Sequence, residues 1–138
     1  MKHNALVPVL YVTSTKKTLE FYTKILGFHI EYQREEEGFA YLSMQGLQIM
    51  ICQIDIGASW ITGELVYPLG RGINFQMEVK EIKPILSNLQ ENNIKLYMEP
   101  KDTWYRKNDT QVGNRQFLVQ DPDGYLLRFF EDLGSKPL

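Results

Sequence analysis

The sequence lacks several features that would assign it directly to a functional class. Its 138 residues include one cysteine, Cys52, so no disulfide can form within the chain, which is typical of proteins from a reducing compartment. No run approaches the roughly 18 apolar residues that cross a bilayer, and residues 1–4 do not resemble a signal peptide. We therefore expect a cytoplasmic protein with no membrane partner.

Charge of one sign is also scarce. The chain carries 15 basic and 17 acidic residues, a formal net charge of −2, and its basic residues cluster only in pairs. Proteins that bind nucleic acid through its phosphates usually carry a basic face, so we expect no nucleic-acid partner. Glycine-rich phosphate loops, Gly-x-Ser-x-Gly and Cys-x-x-Cys are absent too. The single cysteine, Cys52, ends an apolar segment, and we expect it to be buried rather than nucleophilic.

Apolar periodicity is present, and it predicts the same order of elements in both halves of the chain. In residues 5–54 a short apolar run is followed by apolar residues at helical spacing that end at Gly27, and then by alternating segments. Gly46 separates two of these segments, which predicts a hairpin. The first half therefore reads β-α-β-β-β, with strands at 6–12, 28–33, 39–44 and 47–52.

The second half, residues 72–131, shows the same pattern. Pro84 suits the first turn of its helix, and Asp121-Pro122-Asp123-Gly124 supplies strong turn residues for a second hairpin. Residues 55–71 are rich in glycine and predict a linker, and the polar residues 99–114 predict a loop. The predicted strands of this half lie at 73–79, 94–98, 115–119 and 125–129.

Two segments of the chain resemble a known family. Pro8 to Val12, followed by a helix that ends Phe21-Tyr22-x-x-x-Leu26-Gly27-Phe28, resembles the opening of the glyoxalase/bleomycin-resistance/dioxygenase (vicinal oxygen chelate) superfamily. The hairpin around Asp121-Pro122-Asp123-Gly124 resembles its closing segment. The resemblance implies an α+β fold: one domain, 1–138, of two βαβββ modules that form curved mixed sheets, in a homodimer.

The resemblance also bears on metal binding, because enzymes of this family hold a divalent ion with His and Glu side chains. The corresponding positions here are Val7, Gly72 and Arg128, and none of these side chains can hold a divalent cation. The two histidines, His3 and His29, fall elsewhere. We therefore predict that the protein uses no metal or other cofactor, is not an enzyme, and is closest to the metal-free bleomycin-resistance proteins.

Resemblance to that branch implies a protein that sequesters a bulky, cationic, aromatic antibiotic of the bleomycin type in clefts at a dimer interface, without turnover. Aromatic side chains in loops or on one strand face, and carboxylates near them, are the predicted contacts. They are Trp60, Trp104, Tyr105, Phe39, Tyr41, Asp55, Glu99 and Asp102.

Each of these residues also has a structural interpretation. The loop aromatics can close the end of a sheet, Phe39 and Tyr41 can belong to the core, and the carboxylates can be solvated. Arg115 and Arg128 can pair with Asp121 or Asp123. Two other functions stay open: a metal-dependent glyoxalase- or dioxygenase-type lyase or thiol transferase, and a binding protein for another small apolar metabolite.

Overall fold

A computed structural model describes residues 1–56 and 60–138 of the chain. These residues form two compact units, Met1–Leu69 with Pro122–Gly124 and Gly70–Asp121 with Tyr125–Leu138. The boundary at residue 69 falls near the end of the predicted linker, 55–71. No helix in the described part of the chain is long and apolar enough to cross a membrane.

The first unit contains sheet A, whose strands follow the order β1-β4-β3-β2. The first strand runs parallel to β4, and the other neighbours are antiparallel. The helix α1 is α-helical at first and continues as a π-helical segment, and Gly27, with φ 96°, ends it as expected. The elements are β1 (Val9–Val12), α1 (Thr15–Leu19 continuing through Glu20–Leu26), β2 (His29–Arg34), a 3₁₀ turn (Glu35–Glu37), β3 (Phe39–Met44) and β4 (Leu47–Gln53).

The second unit repeats this topology in sheet B, with strand order β5-β8-β7-β6 and β5 parallel to β8. The α+β fold of two βαβββ modules with mixed sheets is therefore confirmed. The elements are β5 (Asn74–Glu78), α2 (Lys83–Glu91), β6 (Met98–Lys107), β7 (Thr110–Gln120) and β8 (Leu126–Pro137).

The predicted loop at 99–114 is wrong, because these residues form most of the long hairpin β6–β7. The predicted strand at 94–98 likewise begins only at Met98. Most side chains here are exposed or half-buried, so the sequence carries no apolar alternation to mark the strands, although their backbones pair from Met98 to Lys107. Asn108, with φ 56°, forms the turn at the hairpin end.

One face of each sheet carries the core of its unit. In sheet A, Val12, Leu42 and Ile51 are fully buried, together with Tyr22 of α1. In sheet B the corresponding side chains are Phe117, Val119, Leu127 and Phe129, all with 0% exposure. Because side chains alternate along a strand, the residues between them project from the other face, which we call the open face of each sheet.

Candidate ligand-binding site

The open face of sheet A carries a pocket of about 320 Å³. Strand alternation places Phe39 of β3 beside Met50 and Cys52 of β4, and Phe39 and Cys52 are direct partners in the ladder. At the border of the pocket the backbone N–H of Trp60 donates to the hydroxyl of Tyr11 at 2.9 Å. The pocket is lined by Val9, Tyr11, Arg34, Glu37, Phe39, Met50, Cys52, Ile56 and Trp60.

The two charged residues of this pocket neutralise each other. The Arg34 guanidinium donates to the Glu37 carboxylate, and that bond raises the pKa of Arg34. The guanidinium also lies 4.0 Å from the centre of the Phe39 ring, a cation–π contact. The rest of the described lining is aromatic, aliphatic or sulfur-containing, so this part of the pocket presents a surface with little net charge.

Cys52 of β4 lies half-buried on the same face. Burial is the main cause that raises the pKa of its thiol, with Arg34 acting in the opposite direction and Glu37 in the same one. A thiol with a raised pKa is protonated at neutral pH and is a poor nucleophile. The surroundings of Cys52 therefore agree with the expectation that it is not an activated nucleophile. Its side chain, however, is half-buried and not buried as expected.

Tyr41 follows Phe39 on the same face of β3 but is fully buried. Its hydroxyl donates to Gln48 at 2.7 Å and lies 3.0 Å from His3, and its ring stacks on Tyr32. Burial, together with Tyr32 and Glu31, raises the pKa of Tyr41. These contacts support the interpretation of Tyr41 as a core residue. It lies beside the pocket but is not among the residues that line it.

The open face of sheet B carries a second pocket of about 230 Å³ with different chemistry. Strand alternation brings Gln116 of β7 and Arg128 of β8 to this face, together with Tyr105 of β6. The Nε of Arg128 donates to Gln116 Oε1 at 3.0 Å, and Gln116 Nε2 donates to the Tyr105 hydroxyl at 2.7 Å. The pocket is lined by Asn74, Met98, Lys101, Thr103, Tyr105, Gln116, Leu118, Leu126 and Arg128.

The structure divides the predicted contacts among several places. Phe39 and Trp60 line the sheet A pocket, with Trp60 88% exposed, and Tyr105 lines the sheet B pocket. Asp55 follows β4, where its carboxylate accepts from Gln53 at 2.9 Å. Glu99 borders a separate groove beside α2.

Trp104 and Asp102 lie on β6 between the residues of the open face and therefore project from the opposite side of sheet B. Trp104 contacts Gly113 on the neighbouring strand, and the Lys136 ammonium lies 4.0 Å from its ring centre. The Asp102 carboxylate accepts two hydrogen bonds from Arg115, which lower its pKa. Their predicted placement in a loop is wrong, because both are strand residues.

The turn Asp121-Pro122-Asp123-Gly124 has a structural role that the sequence motif does not reveal. The Asp121 carboxylate accepts the backbone N–H of Tyr125 at 3.0 Å. The Asp123 carboxylate accepts both the backbone N–H and the hydroxyl of Thr13, at 3.1 and 2.7 Å. The predicted pairing of Arg115 and Arg128 with these carboxylates is wrong: Arg115 pairs with Asp102, and Arg128 with Gln116.

The sequence indicated Arg128 only as a lost metal-ligand position or as a partner of the turn carboxylates, and it gave no signal for Gln116. Gln116 is only 3% exposed in spite of its polar side chain. A glutamine within an alternating strand gives no signal by itself, because the same pattern fits a solvated residue. Its burial follows from the neighbouring strands.

A larger cavity, of about 510 Å³, lies beside α1 in the first unit. Part of its polar lining is already engaged within the chain: Thr15 donates from its backbone to Gln53 and from its hydroxyl to the Gly38 carbonyl. It also mixes charges of both signs, from Lys16 and Glu20 among others. We regard it as a surface groove, because Thr15, Gln53 and Gly38 already satisfy one another there.

The residues at hand do not fit a divalent metal. Among the described residues, no three His, Cys, Asp or Glu side chains come together in a group that could hold an ion. Val7 precedes β1 and Gly72 precedes β5, and neither offers a side-chain donor. Arg128 places a cation on the open face of sheet B, which opposes metal binding there.

Two βαβββ modules with small-molecule-sized pockets on their sheet faces define a class of proteins that binds or transforms small ligands. The chain belongs to the glyoxalase/bleomycin resistance protein/dioxygenase superfamily, whose family model matches residues 3–129. The resemblance of the opening and closing motifs to this superfamily is therefore confirmed. A closer relation to its bleomycin-resistance branch stays a prediction.

The chain is also similar to solved structures. A superfamily member from Vibrio splendidus 12B01 is 32% identical and is matched over 92% of this chain and 97% of its own, with a TM-score of 0.42. TioX from Micromonospora sp. ML1 is 17% identical over 94% of this chain and all of its own, with a TM-score of 0.71. An integron cassette protein of Vibrio cholerae is 17% identical over 95% and 97%, with a TM-score of 0.69. None of the curated proteins matches the chain.

Proposed function

We propose that this protein binds a small organic molecule with a flat aromatic or apolar body on the open face of sheet A and sequesters it without chemical change. The observation that carries this proposal is the 320 Å³ pocket whose charged residues, Arg34 and Glu37, pair with each other. Phe39 and Trp60 offer ring surfaces for stacking, and Met50 adapts to irregular shapes.

The charge of this pocket favours a neutral ligand over a bulky cation. Unpaired carboxylates near the aromatic rings would favour a cationic antibiotic. The candidates Asp55, Glu99 and Asp102 do not line the pocket, and Asp102 already pairs with Arg115. A bleomycin-type antibiotic is the second ligand class, favoured by the membership of this family, and the experiment below compares the two directly.

Sequestration rather than turnover is supported by the residues that face the pocket. The Cys52 thiol has a raised pKa and so lacks the thiolate that a nucleophile requires. Arg34 and Glu37 are engaged with each other. The described lining residues thus supply neither an activated nucleophile nor an unpaired acid or base.

We further propose that the functional form is a homodimer. Val9 at the edge of sheet A, and Ile30 and Tyr32 on the opposite edge strand, are 41%, 39% and 43% exposed. Exposed apolar side chains on edge strands favour association with a second chain. Light scattering on the purified protein tests this point: a mass of twice the 16.1 kDa chain supports it, and a monomer at micromolar concentration contradicts it.

The two tryptophans permit a sharp test of ligand binding, since Trp60 borders the sheet A pocket and Trp104 lies on the far side of sheet B. Trp60→Phe shrinks a stacking ring of the pocket, and Trp104→Phe is the matched control, because it makes the same change at a residue that does not line the pocket. Both proteins are titrated with the neutral fluorophore N-phenyl-1-naphthylamine, and with metal-free and copper-loaded bleomycin. We expect the fluorescence of the neutral probe to rise saturably with Trp104→Phe, and its affinity to be lower for Trp60→Phe.

The outcomes separate the ligand classes. Saturable binding of the neutral probe, with bleomycin at least about tenfold weaker, supports the proposal; tenfold corresponds to about 1.4 kcal/mol. Tighter binding of bleomycin overturns the neutral ligand and favours the antibiotic. Failure of both to bind a folded protein overturns the assignment of this pocket.

A further inference from the structure

Arg128 is a half-buried cation without a carboxylate partner. Arg34 and Arg115 each pair with a carboxylate, Glu37 and Asp102, and Arg128 takes part in neither of these pairs. Removing a charge from water costs free energy unless another group compensates it. Arg128 is instead held by neutral groups, which keep its side chain in position and leave its charge uncompensated.

The contacts that hold Arg128 form a closed network. Its Nε donates to Gln116 Oε1 at 3.0 Å, and its Nη2 lies 3.4 Å from the Tyr105 hydroxyl. Gln116 Nε2 donates to the same hydroxyl at 2.7 Å, and the guanidinium carbon lies 5.6 Å from the Tyr105 ring centre. A guanidinium has five N–H donors, so two of these contacts leave three donors for a ligand.

Other polar groups meet in the same 230 Å³ pocket. Lys101 adds a second cation, and Asn74 adds an amide. The hydroxyl of Thr103 is buried and has no hydrogen-bond partner, although a buried hydroxyl normally has one. No Asp or Glu appears among the described lining residues, whereas Leu118 and Leu126 provide apolar surface.

We propose that the open face of sheet B is a binding site for a small organic acid, with Arg128 as the anchor of its carboxylate. The planar fork of a guanidinium matches a carboxylate through two parallel hydrogen bonds. Lys101 adds attraction, Thr103 offers a further donor, and the leucine side chains accommodate the apolar body. This site lies on a different sheet from the pocket assigned above, and it does not depend on that proposal.

Benzoate and benzamide provide a matched pair of probes, because they share their shape and differ in charge. Calorimetric titration of each into the full-length protein, with inorganic phosphate as a third probe, measures the contribution of the carboxylate. We expect benzoate to bind saturably and benzamide at least about tenfold more weakly, since charge-assisted hydrogen bonds are the strong ones. Added salt should weaken benzoate binding only.

Arg128→Gln and Arg115→Gln are the matched variants, because each removes one arginine side chain from sheet B. Arg128 lies on the open face, whereas Arg115 projects from the opposite face. We expect Arg128→Gln to lower benzoate affinity about tenfold or more and Arg115→Gln to change it less than about twofold. Equal loss in both variants would show that net charge rather than a site attracts the anion, and would overturn the proposal.

Thr103→Val supplies a second and independent variant. Because the hydroxyl has no partner in the protein, its replacement by a methyl group should leave the unfolding midpoint unchanged or raise it. Benzoate affinity should nevertheless fall by several-fold, since the ligand would lose that donor.

Equal affinity for benzoate and benzamide, no saturable binding of either, or binding of phosphate alone would each contradict a carboxylate site.

Discussion

The open faces of the two sheets have the same backbone arrangement and opposite chemistry. Cys52 and Arg128 occupy the same position in the two parallel ladders, as the third residue of the pair β1–β4 and of the pair β5–β8. Their antiparallel neighbours are Phe39 and Leu118. A thiol and an aromatic ring in one module thus correspond to a guanidinium and an aliphatic chain in the other.

The buried faces of the same strands do not differ in this way. Ile51 and Leu127, the second residues of the two ladders, are both fully buried. The repeat therefore conserves the requirement for an apolar core and leaves the open face free to vary. We infer that the two modules have separate ligand preferences, neutral and apolar for sheet A and anionic for sheet B.

The largest effect is expected where the two modules are alike. Ile51→Ala and Leu127→Ala each remove a fully buried aliphatic side chain at the same ladder position. We expect each to lower the free energy of unfolding by about 2–5 kcal/mol, from lost burial and the cavity left behind. Urea denaturation followed by circular dichroism measures this. A cost below about 1 kcal/mol at one position alone would break the equivalence of the two cores.

Charge reversal at Arg128 tests the difference between the open faces. Arg128→Glu replaces the anchor by a carboxylate that repels an organic anion, so benzoate affinity should fall about a hundredfold, or about 2.7 kcal/mol. Calorimetry measures the loss, and the neutral probe on sheet A serves as the control, with an affinity that should change less than about twofold. Retained benzoate binding would contradict the role of Arg128.

The same variant also examines metal binding. One carboxylate beside Gln116 and Tyr105 does not make a zinc site, because such a site needs three or more protein ligands. Zinc titration of Arg128→Glu, with the parent protein as reference, should therefore show no gain in affinity. Tight zinc binding by the variant would mean that the remaining ligands are already assembled.

A smaller effect is expected at alkaline pH. The pKa of Tyr41 is raised by burial, by Tyr32 and by Glu31, so the folded state holds the phenolic proton more tightly than the unfolded chain. Stability should therefore fall as the pH rises above the ordinary tyrosine pKa of about 10. Tyr41→Phe should show a shallower decline. Thermal melts between neutral and alkaline pH measure this, and identical slopes for the two proteins would contradict it.

The smallest effect is expected at the exposed pair on the far side of sheet B. Arg115 lowers the pKa of Asp102, so their contribution is present above the unfolded pKa of the carboxyl and is lost as the pH falls through the folded one. Asp102→Asn should lower the melting temperature slightly at neutral pH and not at strongly acidic pH, because exposed pairs contribute little. Calorimetric melts at both pH values check this. A large change at neutral pH would contradict it.

The topology was predictable from the sequence because its signals are local and strong. Gly27 ends α1 with a positive φ, and the two-residue turn Gln45-Gly46 joins β3 to β4, with positive φ at both residues. Tyr22 belongs to the apolar residues at helical spacing, and its side chain is fully buried. The sequence did not predict the hairpin β6–β7, because its side chains are mostly polar. They show no apolar alternation although the backbones pair.

The candidate site was less predictable, for a physical reason. Trp104 and Tyr105 are adjacent in sequence, yet strand alternation sends Tyr105 to the open face and Trp104 to the opposite one. A loop assignment for these two residues does not distinguish the two faces of a strand. Asp102, a carboxylate close to Trp104 in sequence, likewise pairs with Arg115.

The sequence by itself determined the order of the elements, the repeat of the βαβββ module and the replacement of potential metal ligands by Val7, Gly72 and Arg128. These features depend on periodicity, on turn residues and on residue chemistry, which are readable along the chain. Only the tertiary structure decided which polar groups pair and which face a pocket. Arg115 pairs with Asp102 while Arg128 meets neutral groups, because the partners of a charge on a strand are set by register and strand face.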